Sequence, residues 1–335
     1  MSAFKLSQLP IIDIAPFLND SPSDAKARLA ASAALHRACV EFGFFYLDIQ
    51  AYVNPSEPEE LARLGKEFFG LPQEEKDKLA LKNQDYARGY AKLKENVTNG
   101  KADNHEGIDF YKPVENPDKT KPVWGENQWP TVPGFREKYD TWVEKMKKLG
   151  TIVMRAMADG LGLSAEEQED LLNQVNDSFW VMRVIGYPPL PDDHDGVSCG
   201  AHKDYGCLTF LYADPTPSAL QVFLRQPGAK ETDNHGLPRE QGDEEGVWIN
   251  ADPIPGCVST LHRVVHRGSN YRVSVPFFFE PNFDALVKPI PGALRKKAQE
   301  TGELEGEPAH ESVVYGEFLL AKVGNNFSTE GPGRY

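Results

Sequence analysis

Apolar residues fall into two textures along the chain. Up to about residue 165 they recur mainly at helical spacing, and beyond residue 179 they gather into short runs broken by Gly and Pro. The run Leu9-Pro10-Ile11-Ile12-Asp13-Ile14 predicts an opening strand ended by the turn at Ala15-Pro16. Ser23 and Asp24 are placed to cap a helix from about Ala25 to Glu41, with Leu29, Ala33, Leu35, His36 and Val40 as its buried stripe. Phe42 to Leu47 predicts a second strand. Leu61, Leu64, Phe68 and Phe69 mark one face of a helix that stops at Gly70-Leu71-Pro72 and restarts from Glu74 to Leu79. Phe135, Tyr139, Trp142, Val143, Met146, Leu149, Val153 and Met157 predict one long amphipathic helix over about 134–161. Gly160 and Gly162 end it, and Ser164 caps the next short helix.

The second texture predicts strands over 179–187, 199–212, 220–224, 246–250 and 272–279. Many short strands with turn signals indicate a sandwich, barrel or jelly roll, not a parallel sheet. A helical segment from Gly292 to Thr301 and a C-terminal helix over 313–320 follow. Between Gln84 and Pro133 lies a polar stretch rich in Gly, Pro and Asn, with Arg88-Gly89-Tyr90 and His105 to Tyr111 as ordered islands. A connection of that length in one domain is expected to wall a pocket. Helices first and a β core second, with no linker between them, predict an α+β chain with a helical N-terminal buttress.

Charge narrows the partners. Lys and Arg number 36 against 50 Asp and Glu, a net charge of −14, which argues against nucleic acid or an anionic membrane surface as the main partner. Small anions can still be captured by a few Arg residues focused in a pocket. The first residues carry no apolar signal core and no apolar run approaches a membrane span, so a cytoplasmic protein without membrane contact is expected. The four Cys (Cys39, Cys199, Cys207, Cys257) lack paired close spacing, as reduced thiols would. The acidic surface favours a monomer.

Candidate chemistry starts at Gly200-Ala201-His202-Lys203-Asp204-Tyr205-Gly206. On a strand, a period of two puts His202 and Asp204 on one face, half of a metal site. The triplet alone is a weak signal, but a polar pair opening an apolar strand between two glycines is hard to explain as core packing. His262 offers a second imidazole, and His266 shares its strand parity and competes for that role. Two imidazoles and one carboxylate with open positions suit oxygen-activating Fe(II). Arg272 and Ser274 share one face of a later strand. They are either solvated or, since Arg272 lies between Tyr271 and the run Val273 to Phe279, buried. A buried guanidinium needs an anion, and a bound dicarboxylate finished by the Ser274 hydroxyl would serve.

His202-x-Asp204, His262 sixty positions on, and Arg272-x-Ser274 ten beyond it together resemble the iron(II)/2-oxoglutarate-dependent dioxygenases, in the branch similar to isopenicillin N synthase. Pro10-Ile11-Ile12-Asp13, Glu41-Phe42-Gly43-Phe44-Phe45, Gly89-Tyr90, Tyr187-Pro188-Pro189 and Tyr315-Gly316-Glu317-Phe318 sit where that branch has like motifs, so the resemblance covers almost the whole chain. It implies a double-stranded β-helix (jelly-roll) core over 175–290, an N-terminal helical and strand region over 1–165, and a C-terminal helix and tail over 291–335. It implies Fe(II) on His202, Asp204 and His262, and 2-oxoglutarate on Arg272, Ser274 and Tyr187. The reaction implied consumes O2, decarboxylates 2-oxoglutarate to succinate, and hydroxylates or desaturates a small-molecule substrate. Arg88, Tyr90, Asn96, Phe110, Tyr111, Phe278 and Glu280 are its expected wall.

Two positions depart from the family pattern. Ile185 stands where plant members usually have Asn. Cys257-Val258 alone bridge Trp248 to Gly256 and Ser259 to His262, where members normally carry a strand, a turn and a Trp-Thr-Asn-Gly-like stretch. The core is therefore expected to lack a segment after Gly256, while the polar insertion Arg225 to Glu245 restores the distance from His202 to His262. The alternatives are a catalytically impaired relative acting as a small-molecule or protein binding module, an oxidase that dispenses with 2-oxoglutarate, and a zinc hydrolase on the same ligands. The last fits poorly, because no general base is placed by a helical metal motif.

Overall fold

Two β-sheets carry the C-terminal half of the chain, and helices cover the outer face of the larger one. The computed structural model describes residues 9–19, 21–98, 100–190, 197–204, 206–224, 246–252, 257–258, 262–302 and 311–324. In chain order the elements are β1 (Ile11–Asp13), α1 (Ala25–Glu41), β2 (Phe45–Asp48), α2 (Ser56–Phe69), α3 (Gln73–Asp77), β3 (Gly89–Ala91), β4 (Val97–Thr98), β5 (Lys101–Ala102), β6 (Glu106–Tyr111), α4 (Phe135–Leu161) and α5 (Ala165–Asn173). There follow β7 (Val181–Tyr187), β8 (Cys199–His202), β9 (Leu208–Ala213), β10 (Leu220–Leu224), β11 (Val247–Asn250), β12 (Cys257–Val258), β13 (His262–Val264) and β14 (Arg272–Phe279). The chain closes with β15 (Leu286–Val287), α6 (Pro291–Thr301), β16 (Val313–Val314) and α7 (Tyr315–Gly324).

The large sheet has the order β1-β2-β12-β9-β14-β7-β6-β3, and the small one β11-β10-β13-β8. Pairing is antiparallel except between β1 and β2. One core lies between the large sheet and α1, α2 and α4, with Phe68, Tyr139, Val184 and Val275 at its centre. A second lies between the sheets, where Ile185 and Tyr187 meet Leu220, Val222, Ile249 and Val264. Burial of two apolar faces across a gap of this kind is what a jelly roll requires.

Helical spacing places α2 and α4 well, and Ser164 and Glu167 form the reciprocal capping box that starts α5. The expected face of α1 needs correction: Leu29 and Val40 are 68% and 67% exposed, whereas Ser32, Leu35 and Ala38 are buried. A Cβ on Gly160 of α4 would stand 2.7 Å from the Ser32 carbonyl oxygen, so small residues set this close crossing. The stretch 199–212, expected as one strand, is two. β8 lies in the small sheet and β9 in the large one, and the chain crosses between them at Asp204 to Cys207, where the Glu280 carboxyl lies against Gly206 and leaves no room for a Cβ. The stretch 84–133 holds β3 and the fully buried β6, which extend the large sheet.

Between β2 and β9 the sheet is bridged by the two residues of β12, Cys257 opposite Tyr46 and Leu211, and Val258 opposite Phe45 and Phe210. A cavity of about 430 Å³ lies beside them, lined mainly by apolar side chains including Leu47, Val53, Ala62, Met146 and Phe210, with Arg272 also on its wall. The place where a segment was expected to be lacking, after Gly256, lies outside the described residues, as does the insertion 225–245. No helix among the described residues is long and apolar enough to cross a membrane.

Candidate active site

Sheet pairing brings the candidate metal ligands together. His262 of β13 lies directly opposite His202 of β8, with ring centroids 4.2 Å apart, and Asp204 follows at the crossover. One nitrogen of each imidazole and a carboxylate oxygen of Asp204 all lie within 4.8 Å of one another. The His202 Nδ1 is 2.8 Å from the carbonyl oxygen of Gly200. A carbonyl only accepts, so Nδ1 carries the proton and Nε2, 3.6 Å from Asp204 Oδ1, keeps its lone pair for a metal. The Thr209 hydroxyl donates to Asp204 Oδ2 at 2.7 Å and turns Oδ1 toward the imidazole. The Phe44 ring edge packs on His262 at 5.9 Å. His266 is settled by its surroundings: it is fully buried and its Nε2 meets the Asn270 carbonyl oxygen at 2.6 Å, outside the ligand group. Two imidazole nitrogens and one carboxylate oxygen at this spacing fit Fe(II).

Arg272 and Ser274 stand on β14, opposite Tyr187 and Ile185 of β7. Arg272 is 1% exposed, and its Nε and Nη1 have no hydrogen-bond partner among the described residues. Its guanidinium carbon lies 4.9 Å from the centre of the Tyr187 ring. Burial lowers the pKa of Arg272 and pushes that of Tyr187 up to about 12. A buried guanidinium with unmatched donors is the complement of a carboxylate, and the Ser274 hydroxyl beside it adds a further donor. These residues therefore fit the distal carboxylate of 2-oxoglutarate. Ile185, next to Ser274 in the ladder, supplies packing at the position that departs from the family pattern.

The face of β6 and β7 that meets the small sheet carries more charge than the expected wall residues suggest. On β6 and β7, Asp109 lies opposite Arg183, and the Arg183 Nε donates to Asp109 Oδ1 at 2.8 Å. His105 precedes β6, with its ring 5.5 Å from that of Tyr187. Its Nδ1 meets the Ser198 carbonyl oxygen and its Nε2 the Asn96 amide nitrogen, each at 3.0 Å, and burial lowers its pKa to about 3, so it is neutral. Asp103, His105 and Cys199 form a second group of ligand-type atoms. Both His105 nitrogens are engaged, so the group has no imidazole lone pair to give a metal.

Of the expected wall residues, Asn96 joins this cluster, and Phe278 shares the parity of Arg272 and Ser274 on β14. Glu280 accepts the Cys207 N–H at 3.0 Å beneath the crossover, and burial pushes its carboxyl pKa up to about 8. The other four lie in other layers of the fold. Phe110 stacks on Trp129 at 4.2 Å in the helix-facing core, because it projects from the opposite face of β6 to Asp109. The Tyr90 hydroxyl bonds Glu106 in that same layer, and Tyr111 packs with Val123 and Phe179 in a third core. Arg88 is fully buried in an ion pair with Asp85 and also bonds the Lys112 carbonyl. Sequence reasoning passed over Asp103, Asp109, Arg183 and Thr209. Strand parity in His105 to Tyr111, with Ile108 and Phe110 apolar and Gly107 and Asp109 not, is the signal that marks Asp109.

Two family models match the chain. One, described as the N-terminal region of the non-haem dioxygenase in morphine synthesis, covers residues 9–132, and the other, the 2OG-Fe(II) oxygenase superfamily, covers residues 174–281. A homoarginine-6-hydroxylase of Oryza sativa subsp. japonica is 36% identical over 348 aligned positions that take in 95% of this chain and 97% of the relative. One of Glycine max is 36% identical, covering 97% of this chain and 99% of the relative. Among solved structures, a full-length Neurospora crassa protein in complex with alpha-KG and thymine superposes with a TM-score of 0.73 at 24% identity, covering 95% of this chain and 97% of that one. JOX2 in complex with 2OG, Fe and JA gives a TM-score of 0.69 at 21% identity, covering 98% of this chain and 87% of that one. At these identities the structures speak for the fold alone, which is the jelly roll described above.

Proposed function

The chain belongs to the 2OG-Fe(II) oxygenase superfamily, and on that premise we propose that its substrate is a small cationic amino acid of the homoarginine type, hydroxylated on its aliphatic chain. As a 2-oxoglutarate-dependent dioxygenase it oxidises a small organic molecule while 2-oxoglutarate is converted to succinate. Bound iron and cosubstrate supply the oxidising power by activating O2. The chain's own residues do the rest. His202, Asp204 and His262 hold the metal, Thr209 and the Gly200 carbonyl orient two of those ligands, and Arg272 with Ser274 holds the cosubstrate carboxylate. The apolar core between the two sheets keeps bulk water from the site.

The observation that carries the substrate reading is that relatives 35–36% identical over 95–97% of this chain are homoarginine-6-hydroxylases by name, in rice, soybean and Arabidopsis thaliana. The experiment is succinate formation by the purified chain with Fe(II), 2-oxoglutarate and homoarginine. Succinate that rises in proportion to hydroxylated homoarginine supports the reading; equal succinate with and without homoarginine sinks it. The acidic balance and the cysteine spacing further support a cytoplasmic, monomeric enzyme.

One observation favours a second reading, a catalytically impaired member that binds without turnover. Between Gly256 and His262 the sequence offers only five residues, where the family pattern carries a strand, a turn and a Trp-Thr-Asn-Gly-like stretch. Such a chain would bind iron and cosubstrate but form no succinate with any substrate.

A further inference from the structure

Close to His202 lies a buried carboxylate that forms no ion pair among the described residues. Asp103 is 2% exposed. Its Oδ1 accepts the N–H of Gly200 at 2.8 Å, and its Oδ2 accepts the Thr98 hydroxyl at 2.7 Å. Both donors are neutral, and no Lys or Arg among the described residues forms an ion pair with it; Arg183, ion-paired with Asp109, acts on it only through space, and burial raises the Asp103 pKa. Its neighbours within 4.8 Å, His105 and Cys199, supply no positive charge, since His105 is neutral. Gly200 stands two residues before His202, and Cys199, which shares the Asp103 group, has its Sγ 3.8 Å from His202 Nδ1, so the carboxylate lies close to the candidate metal group.

A carboxylate buried in this way is costly unless its charge is matched. Arg272 poses the mirror case, and the match proposed for it is the cosubstrate carboxylate. Two donors leave each Asp103 oxygen with a free lone pair, enough for the paired N–H groups of a guanidinium. We propose that Asp103 selects the substrate by charge, its carboxylate pairing with the guanidinium or ammonium group of the molecule to be oxidised. The inference rests on the reading of a cationic amino-acid substrate and assigns a residue to it.

Asp103 also pins the β4–β5 hairpin to β8, where Thr98 packs against Gly200 so closely that a Cβ there would stand 2.7 Å from the Thr98 methyl. Asp103→Asn separates the two roles. The amide keeps an acceptor for the Gly200 N–H and a group for the Thr98 hydroxyl, while the charge is lost.

The test compares kcat/KM for homoarginine and for its neutral ureido isostere, homocitrulline, in the Fe(II)- and 2-oxoglutarate-loaded chain and in Asp103→Asn. The wild type should favour homoarginine by about 100-fold or more, and the variant should bring the ratio to near one, chiefly through KM. The anaerobic charge-transfer band of Fe(II) with 2-oxoglutarate should be the same in both. An unchanged ratio in the variant, wild-type turnover of both compounds at like rates, or loss of the band in Asp103→Asn would each overturn the assignment. If the wild type turns over neither compound, hexylguanidine is titrated against the band. A perturbation in wild type but not in Asp103→Asn supports the role of Asp103 while the amino-acid reading falls; no perturbation in wild type overturns both.

Discussion

His202 donates its Nδ1–H to the Gly200 carbonyl oxygen, and Asp204 is turned by the Thr209 hydroxyl, so two of the three candidate metal ligands are already aimed by hydrogen bonds. Thr209→Val should therefore weaken Fe(II) binding by about 10- to 100-fold with the fold intact, read from a metal titration beside circular dichroism. Ser274→Ala should raise the KM for 2-oxoglutarate about 10- to 100-fold, the loss of one hydrogen bond to a charged group, with kcat little changed. His105 gives a pH signature. Its folded pKa is about 3 against 6.5 unfolded, so as pH falls from 6.5 toward 3 the unfolded chain takes up a proton that the native one refuses. Its contribution is present above pH 6.5 and lost on acidification. Between pH 7 and 4.5 the wild type should lose about 2 kcal/mol more stability than His105→Gln, and parallel urea curves for the two would contradict this. The candidate ligands His202 and His262 and the candidate anchor Arg272 stand out in sequence because each is a polar residue set in an apolar strand, whereas Asp204 falls at the crossover between β8 and β9 and reaches the group through the fold. Asp103 is not legible, because it lies in a polar loop where carboxylates are common and only the tertiary contact with Gly200 singles it out.

At the scale of elements, periodicity predicts α2, α4, β10 and β14 closely, because each buries one broad face. It misleads on α1, whose apolar residues are spread round the helix and whose buried side is chosen by the fit of small residues to Gly160. Gly160→Ala should lower stability by about 1–3 kcal/mol despite the higher helix propensity of Ala, since the new Cβ would meet a backbone carbonyl. A urea midpoint at or above the wild-type value would show that the crossing can relax. The break of 199–212 into β8 and β9 is equally hidden from periodicity. Apolar side chains run through both strands, and it is the switch between sheets, with Glu280 set against Gly206, that lifts Asp204 to the metal group. The wall residues of β6 follow the same logic: Phe110 reads as a pocket aromatic until the pairing with β7 shows which face it occupies.

For the whole molecule, the two sheets join two pairs of distant segments: His202 with His262 across the small sheet, and Tyr187 with Arg272 in the large one. Both pairs stand beside β12, of which Cys257 and Val258 are described, and a cavity of about 430 Å³ that Leu211 and Arg272 help to line. The central claim is that this chain, with that core, assembles an Fe(II)/2-oxoglutarate centre on these residues. It is tested most directly by the visible charge-transfer band formed when Fe(II) and 2-oxoglutarate are added anaerobically to the wild type, to His202→Ala and to Arg272→Ala. The account predicts a band in the wild type that both substitutions abolish while circular dichroism stays native. A folded wild-type chain without the band, or a band that survives either substitution, would contradict it.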